Sequence, residues 1–248
     1  MLAQAEQPSL PSPEAIAWGP RDIIFALLLA LGVGFVLVSL IVAPVAVAAG
    51  SSDDVAVLTA GLVVTLLFDG ALFGFAAVFS VVRYRCSWGA LGLGPLSTKE
   101  FWSGLRTAVA GYFIFYVYVG LVRLLGLDVL LPGTNVPEKL FEEPLVLPLA
   151  GVATVLVAPL VEETFFRGFV FGGLRRYGFF WAALASGLLF SAGHVSLGGL
   201  IPLALVGMLF AWSYSRTGSL WTPIYAHLIF NLVSFVALTA IVQSGGST

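Results

Sequence analysis

Three clusters of polar residues interrupt apolar stretches of the chain: Glu162, Glu163 and Arg167 in VEETFFR, His194 in LLFSAGH, and His227 with Asn231 in IYAHLIFN. A carboxylate and an imidazole can hold a water molecule and take its proton, while an imidazole N–H and an Asn amide on one helical face can donate to a developing oxyanion. The chemistry suited to such a set is hydrolysis. Alternatively, Glu162, His194 and His227 could ligate a zinc ion that acidifies the water. The chain holds no HExxH pattern, and Asn231 is a better oxyanion donor than zinc ligand. The expected cofactor is therefore none or zinc, with the metal-free form favoured.

On a helix, Glu163 and Arg167 share a face and can pair, which lowers the cost of burying either charge. Glu162 is turned about 100° from its neighbour. One ion pair would account for helix packing; a buried ion-pair network is the structural alternative, but it leaves the second glutamate unexplained. Ionisable groups inside lipid-embedded segments are costly and usually face a bundle interior or a wet cavity.

Composition requires that setting. Of 248 residues, 59% are hydrophobic and only 10% charged, with a mean hydropathy of +1.03, so there is too little polar surface to coat a soluble globule. The chain must be solvated by membrane lipids. Its net charge is −2 and its Lys and Arg residues are scattered, which excludes a nucleic-acid partner of the usual basic kind. A single cysteine, Cys86, supplies neither an internal disulfide nor a cysteine-rich zinc site. The first 22 residues lack the basic flank and apolar run of a cleaved signal, so the mature chain is expected to begin near Met1.

The elements that must position the clusters are membrane helices of roughly 20 apolar residues each. The expected fold is all-α, a polytopic transmembrane bundle of about seven helices: Ile23 to Ala49, Val55 to Val82, Phe101 to Leu125, Leu145 to Leu174, Phe179 to Val195, Leu200 to Tyr214 and Leu220 to Val242. The first could be kinked or cut short at Pro44. The chain divides into a polar N-terminal tail (1–22), N-terminal helices with an interfacial connector (23–144), a bundle carrying the clusters (145–242) and a polar C-terminal tail (243–248), all within one membrane domain. Placing the N-terminus inside leaves Arg21, Arg83, Arg85, Lys99, Arg175, Arg176 and Arg216 in cytoplasmic segments and Lys139 outside, so the orientation is N-in and C-out.

Counting rise per residue from the inner helix ends puts Glu162, His194, His227 and Asn231 at roughly 18, 22, 10 and 16 Å. All four fall in one slab near mid-membrane. Asp69 sits alone near the middle of the second helix without an identified partner; polar glue between helices and a place in a cavity lining are both open to it, and it is not placed in the site. The aromatics Tyr112, Phe113, Phe115, Tyr116 and Tyr118 of the third helix, with Phe165 and Phe166 of the fourth, could wall a lipid-like substrate groove, but lipid-facing positions are the expectation for such residues.

EETFFRG resembles the EExxxR motif, FSAGH the FxxxH motif and HLIFN the HxxxN motif of the CPBP group of intramembrane proteases, named for CAAX prenyl endopeptidases and bacteriocin-processing proteins and also called the Abi domain. The resemblance covers about Leu145 to Val242. It implies Glu162 as the water-activating base, His194 as its partner, His227 with Asn231 as the oxyanion site, and Glu163 and Arg167 in supporting roles. It implies an intramembrane endopeptidase, glutamate-type or metal-assisted, acting on a peptide or lipid-modified protein substrate. The competing class is a non-catalytic immunity factor, scaffold or proton-coupled transporter using the same polar core. A short chain with minimal tails reads as a multi-pass protein of a prokaryotic cell membrane; no residue pattern sets an oligomeric state.

Overall fold

The computed structural model describes residues 12, 15–51, 54–133 and 137–245. Most of the polar N-terminal tail, part of the SSDD turn and the end of the C-terminal tail lie outside them. A chain solvated by lipid has to satisfy its backbone polar groups internally, and among the described residues every regular element is helical. Among the described residues the long helices are α1 (Pro20–Ala49), α2 (Val55–Val82), α3 (Thr98–Leu124), α4 (Val146–Tyr177), α5 (Phe179–Gly193), α6 (Leu200–Thr217) and α7 (Trp221–Gln243). By length and composition α1, α2, α3, α4 and α7 can each cross a membrane, whereas α5 is a shorter apolar helix. The protein is a multi-pass membrane bundle.

Helix starts carry the caps their sequences offer. Asp54 accepts from the Ala56 N–H at 2.8 Å ahead of α2, and Ser97 accepts from the Lys99 N–H ahead of α3, each satisfying a donor with no intrahelical partner. Pro44 does not cut α1 short. A π-helical turn over Val38–Val42 precedes it, and a widened turn gives room for the proline ring and its missing N–H. The same device recurs in α4, where the π turn Ala153–Val157 precedes Pro159.

α4 is the centre of the molecule, with every residue from 163 to 173 buried. α2 packs on its Ala158–Glu163 part, and α1 packs on α2. The pairs α5 with α6 and α3 with α7 make the broadest helix contacts. Close approach at the first pair depends on two glycines. A Cβ on Gly187 would come within 2.6 Å of the Ala204 carbonyl oxygen, and one on Gly207 within 2.8 Å of Arg167 Nη2 and 2.9 Å of the Gly187 Cα. Gly207→Ala is therefore expected to lower the thermal unfolding midpoint in detergent, at the cost of about 1–3 kcal/mol typical of overpacking; an unchanged midpoint would show that α5 and α6 can separate freely.

The end of the N-terminal tail is less polar in its placement than its composition suggests. Ile16 and Trp18 are buried, Trp18 Nε1 donates to the Phe169 carbonyl at 2.8 Å, and Arg176 donates to the carbonyls of Ile16 and Trp18. Trp18 fits there because Gly173 has no side chain; a Cβ at that position would meet the indole at 2.7 Å. The connector between α2 and α3 is likewise bound to the bundle, with Tyr214 donating to the Leu91 carbonyl and Trp221 to that of Gly94.

Candidate active site

Glu162 and Glu163 close the α-helical part of α4, and a π-helical segment, Thr164–Phe171, follows directly. Such widened turns concentrate at functional sites. Glu163 and Arg167 are both fully buried, and Arg167 Nη1 donates to Glu163 Oε1 at 3.0 Å, the pairing expected from their spacing. The same oxygen lies 2.9 Å from His227 Nδ1. A guanidinium on α4 and an imidazole on α7 thus converge on one carboxylate oxygen. Arg167 Nε and Nη2 have no hydrogen-bond partner among the described residues, but the guanidinium lies 4.3 Å from the ring centroid of Phe190 and 5.4 Å from that of Phe210, an arrangement that offsets part of its desolvation.

These contacts assign the protons. A carboxylate that already accepts from Arg167 can only accept from His227, so the imidazole carries its proton on Nδ1 and leaves Nε2 as the acceptor of the neutral ring. His227 Nε2 faces Glu162, with Oε2 at 3.9 Å. That is too long for a direct hydrogen bond and suits a site where water mediates. Donation to an oxyanion through Nε2 requires the imidazolium form, a condition that the spacing of HLIFN alone does not reveal.

His194 caps the end of α5, where the chain reverses through Val195 in a left-handed conformation (φ 49°). Its Nδ1 lies 2.9 Å from the Phe190 carbonyl oxygen; a carbonyl only accepts, so this nitrogen donates. His194 and Glu162 line one cavity of about 530 Å³, walled by Phe68, Phe166 and Phe190 among others. Asn231 stands one helical turn beyond His227 and donates through Nδ2 to the Thr154 carbonyl at 2.8 Å, in the widened turn before Pro159. Its amide has a second N–H to give.

The four residues expected to be catalytic are therefore arranged in two groups. Glu162 stands beside His227 and shares the cavity with His194, whereas Asn231 is tied to the α4 backbone, and neither it nor His227 is among the cavity's lining residues. The cavity also contains Asp69, left out of the site at the sequence level. Its signal was the one that singled out the others, an ionisable residue in the middle of an apolar helix. Among the described residues no three His, Cys, Asp or Glu side chains gather closely enough to hold a metal ion, the set Glu162, His194 and His227 included.

Residues 144–233, which contain all three clusters, match the model of the type II CAAX prenyl endopeptidase Rce1-like family. Over that region the chain is similar to the Rce1-like family. It is 32% identical over 127 residues to the Bacillus subtilis (strain 168) protein named "Putative membrane peptidase YdiL", covering 50% of this chain and 52% of that one. It is 38% identical over 120 residues to an "Uncharacterized 24.3 kDa protein" of Escherichia coli, covering 45% and 55% respectively. The chain spans about half the length of the curated relatives it matches. No solved structure matches it. The region that matches the Rce1-like model comprises α4 to just over half of α7, so α1, α2 and α3, with the cavity wall that α1 and α2 supply, lie outside it.

Proposed function

We propose that this protein is an intramembrane endopeptidase that hydrolyses a peptide bond near the C-terminus of a lipid-modified or membrane-bound substrate, with Glu162 activating the water. The observation that carries the reading is the placement of the Glu162 carboxylate: Oε2 has no hydrogen-bond partner among the described residues, faces His227 Nε2 at 3.9 Å and borders the cavity that His194 lines. The Rce1-like region supports a CAAX-type membrane protease, and the B. subtilis relative's name agrees with it.

In the proposed reaction Glu162 takes a proton from water as the oxygen attacks the peptide carbonyl carbon. His194 helps to hold that water. The oxyanion of the tetrahedral intermediate is received by the second N–H of Asn231 and by protonated His227. The C–N bond then breaks as Glu162 passes its proton to the amine, leaving a carboxylic acid and an amine and restoring the carboxylate. Glu163, held by Arg167, accepts from Nδ1–H of His227 and so orients the ring, the role a carboxylate plays behind a catalytic histidine. In the proposed topology the N-terminus is cytoplasmic and the C-terminus outside.

The test is cleavage of a farnesylated CAAX peptide and of an unmodified apolar peptide by the purified protein in liposomes, read by mass spectrometry of the released fragment. Release of a C-terminal tripeptide from the farnesylated peptide is expected. Failure to cleave either peptide, with the protein folded, would favour the non-catalytic class. For a metal-free reaction a strong chelator is expected to leave the rate unchanged; loss of activity that zinc restores would overturn that part of the proposal.

A further inference from the structure

Asp69 lies on α2, outside the Rce1-like region, and its side chain is only slightly exposed. Its Oδ2 has no hydrogen-bond partner among the described residues, and it lines the same cavity as Glu162 and His194. An acceptor buried without a donor is costly in protein and more so in lipid. The cavity multiplies that imbalance. Glu162 Oε2 is a second acceptor on its wall with no hydrogen bond among the described residues, the hydroxyl of Thr65 is turned back onto the Gly61 carbonyl of its own helix, and Arg167 pairs with Glu163 outside the lining. The remaining wall is apolar, including Phe68, Phe166 and Phe190.

A cavity with surplus acceptors and apolar walls fits an occupant that brings donors on an apolar body. An extended peptide with apolar side chains does so, since each residue except proline carries a backbone N–H, and a volume of about 530 Å³ lies within the range of ordinary ligand pockets. We propose that Asp69 is a substrate-positioning residue, lining one cavity with Glu162 and His194 so that its Oδ2 accepts a hydrogen bond from a backbone N–H of the peptide bound there. This rests on the peptidase reading for the identity of the occupant. It gives the N-terminal helices a part in substrate recognition, through a wall that the Rce1-like region does not supply.

The signature of this role is a split between function and stability. Asp69→Ala is expected to raise KM for the farnesylated peptide about tenfold, the worth of a hydrogen bond to a charged group, with kcat nearly unchanged. Asp69→Asn, which keeps an acceptor oxygen, is expected to fall between Ala and wild type. Both variants are expected to unfold at the wild-type temperature or higher, because a buried unpartnered acceptor has been removed or neutralised. An unchanged KM in the Ala variant, or a lowered unfolding temperature in both variants, would overturn the proposal.

A second measurement does not depend on turnover. The wild-type protein in liposomes is labelled with a membrane-permeant carbodiimide, with and without a farnesylated CAAX peptide whose scissile amide is reduced to an amine, and the labelled carboxyls are mapped by mass spectrometry. Protection of Asp69 together with Glu162 is the expected result. Protection of Asp69 in a protein that cleaves nothing would keep the binding role while ending the catalytic reading. Protection of Glu162 alone, of neither group, or failure of Asp69 to label in the free protein would end the proposal.

Discussion

Glu162→Gln is expected to lower kcat on a cleavable peptide by about 10²–10⁴, the range associated with a positioned general base, with the fold intact. Gln keeps the length and planarity of the side chain and an acceptor oxygen, so neither the cavity wall nor the α4 backbone has reason to move. What it loses is the capacity to take the water's proton. The contrast with Glu163 makes the result specific: Glu163 is committed through Oε1 to Arg167 and His227, whereas Glu162 is unpartnered at Oε2 and borders the cavity. The measurement is peptide release in liposomes beside thermal unfolding of the same preparation. A folded Glu162→Gln protein that retained the wild-type rate would remove the base from the mechanism and, with it, the central claim of the proposed function.

The second large effect is on stability. Arg167→Met is expected to destabilise the protein by about 3–5 kcal/mol, the usual result of removing one member of a buried ion pair. The Glu163 carboxylate would remain fully buried with only His227 left of its two partners. The double variant Glu163→Leu with Arg167→Leu removes both charges and is expected to recover much of that loss, yet to hydrolyse peptide poorly, because His227 Nδ1 would then lack the acceptor that orients its ring. Chemical unfolding in detergent, paired with the liposome assay, separates these outcomes. An Arg167→Met protein as stable as wild type would show that the pair is dispensable to the bundle.

These predictions depend on an arrangement only partly legible in the chain. The membrane bundle was legible because composition and span length reflect the solvent directly, and the helix ranges follow from where apolar runs meet Gly, Pro and charge. The Glu163 and Arg167 contact was legible because it is local to one helix, fixed by the rise and twist of a single α-turn. The attachment of Trp18 to α4 was not, since it depends on Gly173, about 150 residues away in sequence. Nor was it legible that Asp69 shares one cavity with Glu162 and His194, or that a contact between α7 and α4 orients His227.

The division has one physical cause. In a soluble helix the boundary between apolar and polar faces tells which side turns inward, but here lipid and protein interior are both apolar and that contrast is missing. From the amino-acid order alone came the class of solvent, the helices and the depth of each ionisable group along its helix. The rotation of each helix about its own axis, and therefore which of those groups meet, was decided only by tertiary packing: by glycine contacts such as Gly187 with Gly207, by the widened turns before Pro44 and Pro159, and by the carboxylate of Glu163 joining α4 to α7.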